Sequence, residues 1–404
     1  MEQITTTCCI AGGGPAGMML GLLLARAGVP VVVLEKHADF LRDFRGDTIH
    51  PSTLELLHEL GVAEEFLRLP HQKVAEIRAQ IGDTLLPVAD FSRLPVRLPF
   101  IAMIPQWDFL DFIARHAARY PTFELRMQTE VTGLLFNEDK VVGVKAASPE
   151  GKLEIRADLV VGADGRHSLV RSSAGLEVQD LGAPIDVLWF RLSKRSGDPQ
   201  ATMGRFDRGR ILVMLNRGDY WQCAFVIGKG SLDAVRSQGL DAFRARLGAS
   251  LPFTGERLRE LGSWDDLKLL TVQVNRLRRW YRDGLLCIGD AAHAMSPVGG
   301  VGINLAIQDA VAAANILYAG DFGIESLRAV QARREFPTRV TQAFQVAVQN
   351  LILQRLLAGA GESGALRPPL AARMLGRFAF LRRIPARMIG IGVRPEHIRS
   401  PAVT

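Results

Sequence analysis

The pattern of apolar residues near the start of the chain predicts a strand, a glycine-rich turn, a helix and a second strand. Residues 7–11 and 31–34 are short apolar runs, and residues 15–27 between them form a mostly apolar stretch that begins at a proline. Unbroken apolar runs of this length are typical of parallel strands buried on both faces. The chain therefore begins with a β–α–β unit, which indicates an α/β fold.

Further along the chain, apolar residues recur at helical spacing or alternate as they do in strands. Residues 71–100 and 183–275 are rich in short strand-like runs. The predicted helices cover 52–60, 107–120 and 303–317, and the chain after Val340 is predicted to be helical apart from Pro368-Pro369 and Pro385. The other predicted strands are 124–127, 131–137, 141–146, 153–155, 159–162 and 285–290.

These elements predict three regions. A discontinuous, Rossmann-like nucleotide-binding domain with a parallel sheet is expected from residues 1–70, 101–182 and 276–345. A mostly β substrate domain, formed by residues 71–100 and 183–275, is inserted into it. Residues 346–404 are expected to form a helical, basic C-terminal region.

Composition places the chain among globular proteins, with 48% hydrophobic and 23% charged residues over 404 positions. The formal net charge of +7 lies in residues 365–404, which hold eight arginines and one acid, Glu396. Since the rest of the chain balances to zero, no partner nucleic acid is expected. In the basic segment arginines alternate with apolar residues, as in an amphipathic helix. We favour packing of this segment on the nucleotide-binding domain, while peripheral membrane contact and a subunit interface stay open.

The sequence predicts neither a membrane span nor a secreted or metal-binding protein. Stretches of about 18 apolar residues are always broken by a charge or an amide, and the chain begins Met1-Glu2-Gln3 without a basic segment. The four cysteines lack C-x-x-C spacing, and Cys8-Cys9 would point to opposite faces of a strand. Buried thiols fit a reducing cytoplasm, where we expect the protein.

Six residues directly after the first strand match the G-x-G-x-x-G pattern of dinucleotide-binding turns. In Gly12-Gly13-Gly14-Pro15-Ala16-Gly17, the first glycine permits a tight turn and the second lets a pyrophosphate approach the backbone. The third lets the helix pack on the strand, and the free N–H groups at the helix start attract the phosphates. Glu35, at the end of the second strand, is placed to accept hydrogen bonds from ribose hydroxyls.

Two further acids follow later apolar strands. Asp164-Gly165 comes directly after residues 159–162, where it is either a turn or a contact to nucleotide phosphates. Asp290 ends the strand predicted at 285–290, where it could bind the ribityl hydroxyls of a flavin. The glycine-rich loop 296–302 then opens a helix, whose N-terminus would stabilise negative charge on a reduced flavin ring. His293 is expected to be a hydrogen-bonded structural residue.

The three motifs, in this order and separation, resemble those of the flavin-dependent aromatic hydroxylases related to para-hydroxybenzoate hydroxylase and the ubiquinone-biosynthesis hydroxylases. The resemblance spans roughly residues 5–345. It implies tightly and non-covalently bound FAD, with NAD(P)H as a transient reductant, since the chain has one glycine fingerprint and the family lacks a separate nicotinamide domain. One departure is Val301, where the family often has glutamine, so one contact to the cofactor is expected to be missing.

The resemblance also implies which positions touch the cofactor. Arg45 and Gln106 match FAD-contacting positions of the family, and the loop that begins at Pro297 matches the one that lines the flavin ring. The expected cofactor-binding residues are Gly12, Gly14, Pro15, Ala16, Gly17, Glu35, Lys36, Arg45, Gln106, Val131, Asp164, Asp290, Pro297, Gly300, Gly302, Ile303 and Asn304.

The activity that the resemblance implies is that of a single-component monooxygenase. NAD(P)H would reduce FAD, the reduced flavin would react with O2, and the resulting C4a-hydroperoxide would transfer one oxygen to an aromatic, phenolic or quinone-like ring. No catalytic base is identified, and His50, Tyr220 and Trp221 are substrate-site candidates by location only. A flavin-linked reductase of the same fold and a non-catalytic flavin-binding regulator stay open. So do the substrate, the choice between NADH and NADPH, and the choice between monomer and homodimer.

Overall fold

The structure, a computed structural model, describes residues 2–41, 48–199, 202–350, 366 and 368–403. Its strands are β1 (Glu2–Ala11), β2 (Val31–Leu34), β3 (Thr48–Ile49), β4 (Gln72–Val74), β5 (Glu76–Ile81), β6 (Thr84–Asp90), β7 (Ile101–Met103), β8 (Phe123–Arg126), β9 (Glu130–Asn137), β10 (Lys140–Ser148), β11 (Gly151–Gly162), β12 (Val178–Asp180), β13 (Ile185–Ser193), β14 (Met203–Asp207), β15 (Arg210–Asn216), β16 (Tyr220–Gly228), β17 (Lys268–Leu270), β18 (Asn275–Leu277), β19 (Tyr281–Arg282) and β20 (Leu285–Cys287).

The helices lie between and after these strands. They are α1 (Pro15–Arg26), α2 (Pro51–Glu59), α3 (Ala63–Phe66), α4 (Gln106–Ala117), α5 (Leu169–Ser173), α6 (Leu232–Ser237), α7 (Leu240–Ser250), α8 (Gly302–Leu317), α9 (Ile324–Val348), α10 (Leu370–Arg377) and α11 (Arg383–Gly390). Short 3-10 helices cover Pro252–Glu260, Trp264–Asp266, Gly289–Ala291, Val298–Gly300 and Ala379–Arg382.

Five parallel strands form the centre of the larger sheet. β20, β11, β1, β2 and β8 lie side by side in this order, with β19, β10 and β9 added in antiparallel pairing. Parallel strands end at one edge of a sheet, so the residues that follow β1, β2, β11 and β20 meet there. Those residues carry the glycine turn, Glu35, Asp164 and Asp290. The fold therefore gathers the predicted motifs at the position where doubly wound sheets bind ligands.

The second large sheet has seven strands in the order β17–β13–β16–β15–β14–β5–β6. Its two faces pack against different parts of the protein. One face packs on α6, α7 and the 3-10 helix that follows, around Phe225, Phe243 and Leu247. The other face packs with Val298, which belongs to the loop before α8. The sheet therefore stands beside the flavin-ring loop that the sequence predicts.

Helices α6 and α7 were not predicted, because residues 183–275 were interpreted by their strand-like runs alone. Phe243 and Leu247 are four residues apart, which places both on the face of α7 that meets the sheet. The ring of Phe243 packs edge-on against Phe190 and Phe225 of two neighbouring strands. This helical spacing was the signal available in the sequence.

The structure corrects two predicted strands. Residues 153–155 and 159–162 belong to one strand, β11, because β1 pairs with it along almost its whole length. The strand predicted at 285–290 ends at Cys287, because Gly289 adopts a φ of +58° and turns the chain into a 3-10 helix. Asp290 therefore lies in a turn, and its carboxylate is not tied to a strand face.

The C-terminal region also differs from its prediction. Pro385 does not interrupt a helix, because it lies in the first turn of α11, where an N–H group is not needed. The chain after α11 is not helical from 391 to 403. It packs instead along the first domain, where the Arg26 guanidinium of α1 donates to the carbonyl oxygen of Ser400 over 2.9 Å.

One segment, Val298–Leu317, is by length and composition a candidate membrane span among the described residues. Of its most apolar window, 72% is buried inside the protein. Helix α8, which makes up most of this segment, packs against α1, α9 and α2. Its apolar composition is therefore accounted for by its position in the core.

Candidate active site

The glycine turn lies where the ends of β1 and β11 almost touch. Gly12 has a φ of +108°, a conformation that favours glycine, and a Cβ there would collide with the carbonyl group of Ala163. A Cβ on Gly17 would collide with the carbonyl oxygen of Gly12. These two glycines are therefore required for the close packing of α1 on the sheet.

Gly14, between them, borders open space. Among the described residues, no atom lies within 4 Å of a Cβ added at this position, and its φ is −75°. Gly14 is the N-cap of α1, so a residue without a side chain precedes the free N–H groups of the first helical turn. An open surface lined by backbone N–H groups at a helix N-terminus fits the pyrophosphate of a dinucleotide such as FAD.

The carboxylate of Glu35 is held beside the glycine turn by backbone N–H groups. Gly13 donates to Oε2 and His37 donates to Oε1, each over 3.1 Å. The side chain is 12% exposed, so its orientation is fixed while part of it still faces solvent. Each oxygen can accept further hydrogen bonds, which fits the predicted contact to ribose hydroxyls. Lys36 lies in a more exposed position, with its Nζ 4.0 Å from Glu130.

Asp164 stabilises the turn that follows β11. Its Oδ2 accepts a hydrogen bond from the backbone N–H of Val170 over 3.1 Å. Burial raises the pKa of Asp164, against the opposing effect of hydrogen bonds from Ser168 and Val170. The adjacent Gly165 has a φ of +85° and, within the described part of the chain, open space around its Cβ position. The structure thus gives Asp164 a role in the turn, and its contact to a cofactor stays a prediction.

Asp290 lies at the sheet edge in a turn that a buried acid holds in place. Its side chain is 33% exposed, and its Oδ2 lies 3.7 Å from Nη2 of Arg166. The preceding residue, Gly289, donates its N–H to Oδ2 of Asp309 over 3.1 Å. Nε2 of His293 lies 2.5 Å from the same oxygen, so His293 is hydrogen-bonded and structural in this loop.

Asp309 is fully buried in α8, and the sequence patterns did not predict its role in holding this turn. Its Oδ1 accepts a hydrogen bond from Nε of Arg334 over 2.9 Å, and Arg334 also reaches Oε1 of Glu396 over 3.2 Å. Burial raises the pKa of Asp309, but the positive charges of His293 and Arg334 outweigh it, so the pKa lies below its ordinary value. An acid in the middle of an apolar helix was the available signal, because a buried charge needs partners.

The loop from Pro297 to Gly302 passes twice through left-handed conformations. Gly299 has a φ of +79° and Gly300 one of +63°. The Oγ1 atom of Thr48 donates to the carbonyl oxygen of Gly300 over 3.1 Å, and a Cβ on Gly300 would lie 2.8 Å from that hydroxyl oxygen. The two glycines therefore let the loop turn tightly against Thr48, and its predicted contact to the flavin ring stays a prediction.

Asn304 and its neighbours fix this loop against residues 48–53. Oδ1 of Asn304 accepts hydrogen bonds from the His50 N–H over 2.9 Å and from Oγ1 of Thr53 over 2.7 Å. Its Nδ2 donates to the carbonyl oxygen of Thr48 over 3.1 Å. Asn304 therefore acts in the structure as a bridge between two chain segments, with its predicted FAD contact untested.

His50 is fully buried between the flavin-ring loop and the C-terminal segment. Its Nδ1 lies 2.7 Å from the carbonyl oxygen of Ile389, so Nδ1 carries the proton and Nε2 is an acceptor. Nε2 has no hydrogen-bond partner among the described residues and lies 3.6 Å from a Cβ added at Gly300. Burial lowers the pKa of His50 to about 4, against the opposing effect of the bond to Ile389. The imidazole is therefore neutral at physiological pH.

This lowered pKa predicts a pH-dependent stability. The unfolded chain takes up the His50 proton near pH 6.5, whereas the folded protein takes it up near pH 4. The stabilisation that comes from the neutral His50 should therefore be fully present above pH 6.5. As the pH falls from 6.5 to 4, the free energy of unfolding should decrease by about 3 kcal/mol. Urea unfolding of the wild type and of His50→Asn at several pH values measures this, because asparagine keeps a donor for Ile389 but does not titrate.

The slope between pH 4 and 6.5 is expected to become shallower in His50→Asn and to stay unchanged in His58→Asn. His58 is an exposed histidine at the end of the adjacent helix α2, and serves as the matched control. An identical slope in the wild type and His50→Asn would show that His50 does not titrate differently in the folded and unfolded states.

Of the other two substrate-site candidates, Trp221 is a packing residue. It lies on the face of the seven-stranded sheet that packs on α6 and α7, and its Nε1 donates to Asp198 over 2.9 Å. This face points away from Val298, so the structure gives Trp221 a packing role, and its predicted place in the substrate site stays untested. Tyr220, at the beginning of the same strand, lies under the guanidinium of Arg191 at 4.9 Å.

The remaining predicted cofactor residues are placed as follows. Pro15 and Ala16 open α1, Gln106 opens α4, and Gly302 and Ile303 open α8. Val131 is half-buried in β9, where it packs against the main core. Arg45 lies outside the described residues. For this group the contacts to FAD stay predictions.

The family of the chain follows from its match to known proteins. The model of the FAD binding domain family matches residues 5–335. The chain belongs to this family. It is 34% identical over 403 residues to 6-methylpretetramide 4-monooxygenase of Streptomyces rimosus. The aligned region covers 98% of this chain and 94% of that protein. It is 31% identical to 12-dehydrotetracycline 5-monooxygenase/anhydrotetracycline 6-monooxygenase of the same species, over 75% of this chain and 60% of that protein.

Solved structures share the fold. The anhydrotetracycline hydroxylase OxyS of Streptomyces rimosus superposes with a TM-score of 0.75 at 25% identity, covering 96% of this chain and 76% of that one. PqsL of Pseudomonas aeruginosa, solved with 2-aminobenzoylacetate, superposes with a TM-score of 0.73 at 22% identity, covering 89% of this chain and all of that one. The chain is an FAD-dependent monooxygenase with the α/β architecture that its motifs predict.

Proposed function

We propose that the chain hydroxylates a polycyclic aromatic substrate of the polyketide type, with NAD(P)H and O2 as co-substrates. The relative that is 34% identical over 98% of the chain is named for 6-methylpretetramide, and another for tetracycline intermediates. The observation that carries the proposal within this chain is the apolar wall beside the flavin-ring loop. A flat apolar ligand needs such a wall to bind next to the ring.

The wall is the face of the seven-stranded sheet against which Val298 packs. Its buried members are all aliphatic and come from four strands or their flanks. They are Ile185, Val187, Ile211, Ala224, Val226 and Val272, with Trp189, Phe206 and Leu270 packed partly buried at the margins. Because Val298 precedes Gly299 and Gly300, the apolar surface is continuous with the loop predicted to line the flavin.

In this proposal the chain positions the reactants and excludes water, while FAD supplies hydride acceptance and oxygen activation when bound. The apolar wall keeps water from the ring, which favours oxygen transfer over release of hydrogen peroxide. His50 holds a neutral imidazole with its acceptor nitrogen beside Gly300, which suits a hydrogen bond from a phenolic hydroxyl. Gly14 and the N-terminus of α1 anchor the pyrophosphate of the cofactor.

The experiment is a panel of polycyclic phenols, monocyclic phenols and quinones incubated with FAD-loaded enzyme. NADH and NADPH oxidation, hydrogen peroxide and products formed under 18O2 are measured. The proposal expects that polycyclic phenols stimulate oxidation with little peroxide, and that the product gains one 18O atom. Substrate reduction without oxygen uptake would favour the flavin-linked reductase, and absence of turnover with every compound would favour a non-catalytic flavin-binding protein.

The proposed role of Asp290 can be tested separately. Asp290→Ala is expected to weaken FAD binding by roughly tenfold to a hundredfold, because a hydrogen bond to a charged group contributes about 1.5–3 kcal/mol. The fold should persist, since the turn is held by Gly289 and Asp309 rather than by the Asp290 side chain. Titration of the apoprotein with FAD by fluorescence measures the affinity. Asp283→Ala, an exposed acid just before β20, is the control and should bind FAD as the wild type does.

We further propose that the protein is located in the cytoplasm. Its oligomeric state is proposed to be either a monomer or a homodimer. The four cysteines support the first proposal, because all of them are buried and free, as thiols are in a reducing compartment. Light scattering of the FAD-loaded protein over a concentration series distinguishes the two oligomeric states.

A further inference from the structure

The C-terminal segment presents an unusual face of apolar and basic side chains to solvent. Five of the fifteen exposed large hydrophobic residues in the described part of the chain fall within residues 370–384. Leu370, Phe380 and Ile384 are 69%, 64% and 63% exposed. We call this surface the tail face, and its members are Leu370, Arg373, Met374, Arg377, Phe378, Phe380, Arg383, Ile384 and Arg387.

The exposure does not come from a loose segment, because the opposite sides of α10 and α11 are packed. Gly376 lies against the side chain of Leu86, and Gly390 lies against Phe91. The guanidinium of Arg382 donates to the carbonyl oxygens of Leu375 and Gly376, each over 2.8 Å. The fold thus fixes which side of each helix meets solvent, and that side carries the apolar residues.

The tail face is also strongly positive. Arg373, Arg377, Arg383 and Arg387 are exposed, and the structure shows no carboxylate within 4.0 Å of their guanidinium groups in the ranges it describes. The one acid of this segment, Glu396, is buried and committed to two other arginines. Four exposed cationic groups therefore alternate with exposed apolar groups along residues 370–387, and an anionic partner would complement them.

We propose that the tail face binds the surface of an anionic lipid bilayer. In an amphipathic helix at such a surface, apolar side chains enter the acyl boundary while interleaved arginines reach the phosphates beside them. A protein partner would have to place carboxylates opposite all four arginines, whereas an anionic bilayer presents negative charge over its whole surface. A second copy fits worst, because a twofold interface would set four arginines against four arginines.

The position of the tail face gives this contact a structural consequence. Ile389, near the end of α11, packs beside Gly299 of the flavin-ring loop and accepts the hydrogen bond of His50. Helix α11 has eight residues, which corresponds to about 12 Å. A bilayer bound at Ile384 would therefore lie about one short helix away from the loop that is predicted to line the flavin ring.

The test is sedimentation of the FAD-loaded enzyme with vesicles of phosphatidylcholine alone or mixed with phosphatidylglycerol. We expect binding to the mixed vesicles and little to phosphatidylcholine alone. The double variant Phe378→Ser/Phe380→Ser should bind at least about tenfold more weakly, because two exposed rings no longer enter the bilayer. Arg373→Gln/Arg377→Gln should lose about fivefold per arginine, and salt near 0.5 M should weaken the wild type.

Phe336→Ser is the matched control, since Phe336 is 57% exposed on α9 outside the tail face, and its binding should equal that of the wild type. Both phenylalanine variants should keep their FAD and their unfolding midpoint, because the replaced rings are exposed. A wild type that ignores anionic vesicles overturns the proposal. So does equal binding of Phe378→Ser/Phe380→Ser and the wild type, or equal binding to neutral and anionic vesicles. None of these readings depends on turnover, so they are separate from the test of the proposed function.

Discussion

Replacing Gly14 by alanine is expected to leave the protein folded and to lower its affinity for FAD by roughly a hundredfold. The added Cβ meets open space within the described residues, and the φ of −75° suits alanine, so the apoprotein should keep its free energy of unfolding. The methyl group occupies the surface where the pyrophosphate must approach the backbone. Each lost hydrogen bond to a charged oxygen costs about 1.5–3 kcal/mol. FAD titration and urea unfolding of the apoprotein measure the two effects separately.

Two further glycine substitutions serve as comparisons for Gly14→Ala. Gly17→Ala should destabilise the apoprotein by about 3 kcal/mol, because its Cβ collides with the carbonyl oxygen of Gly12 and the helix must move. Gly133→Ala, on β9 with open space at its Cβ position in the described structure, should change neither quantity. If Gly14→Ala binds FAD as tightly as Gly133→Ala does, the cofactor does not lie over Gly14.

Arg334→Gln is expected to lower the free energy of unfolding by about 3–5 kcal/mol, because it leaves Asp309 and Glu396 buried with one partner fewer. The Arg334 side chain is 1% exposed and bonds to both carboxylates. Arg333→Gln removes a second contact to Glu396, but Arg333 is 30% exposed and can be replaced by water. Its effect should be at most about 1 kcal/mol. Urea unfolding measures both, and equal losses would contradict the assignment of the stabilising role to the buried pair.

The sequence predicted the parts of the site that depend on local chain geometry. A glycine turn between a strand and a helix has a recognisable composition, because Gly12 and Gly17 meet backbone atoms where no side chain fits. The parallel strand ends could be aligned because β1, β2, β11 and β20 each end in a short apolar run, with a glycine or an acid within two residues after it. These features are fixed within a few residues of one another.

The features that the sequence did not predict depend on which face a residue takes and on contacts between distant segments. Trp221 lies on the sheet face that packs on α6 and α7, whereas Val298 packs on the other face. Successive residues of a strand point to opposite faces, so a shift of one position decides which face a side chain takes. The bond between His50 and Ile389 joins positions 339 residues apart, which a local pattern does not encode. The turn that carries Asp290 depends on Asp309, nineteen positions further along the sequence, whose role is visible only once α8 is packed.

The contact between Arg26 and Ser400 has a consequence for how this enzyme is made in the cell. The two residues are 374 positions apart, and Glu59 likewise accepts a hydrogen bond from the backbone N–H of Ile398 over 2.8 Å. At a synthesis rate of 5–20 residues per second, α1 leaves the ribosome roughly 20–75 s before its last partner does. The packing around α1 and α2 is therefore completed by residues that are translated more than 330 positions later. We expect a nascent chain arrested before residue 396 to lack the ion pairs that Glu396 forms with Arg333 and Arg334 of α9. Chaperones should bind such a chain as an incompletely folded protein.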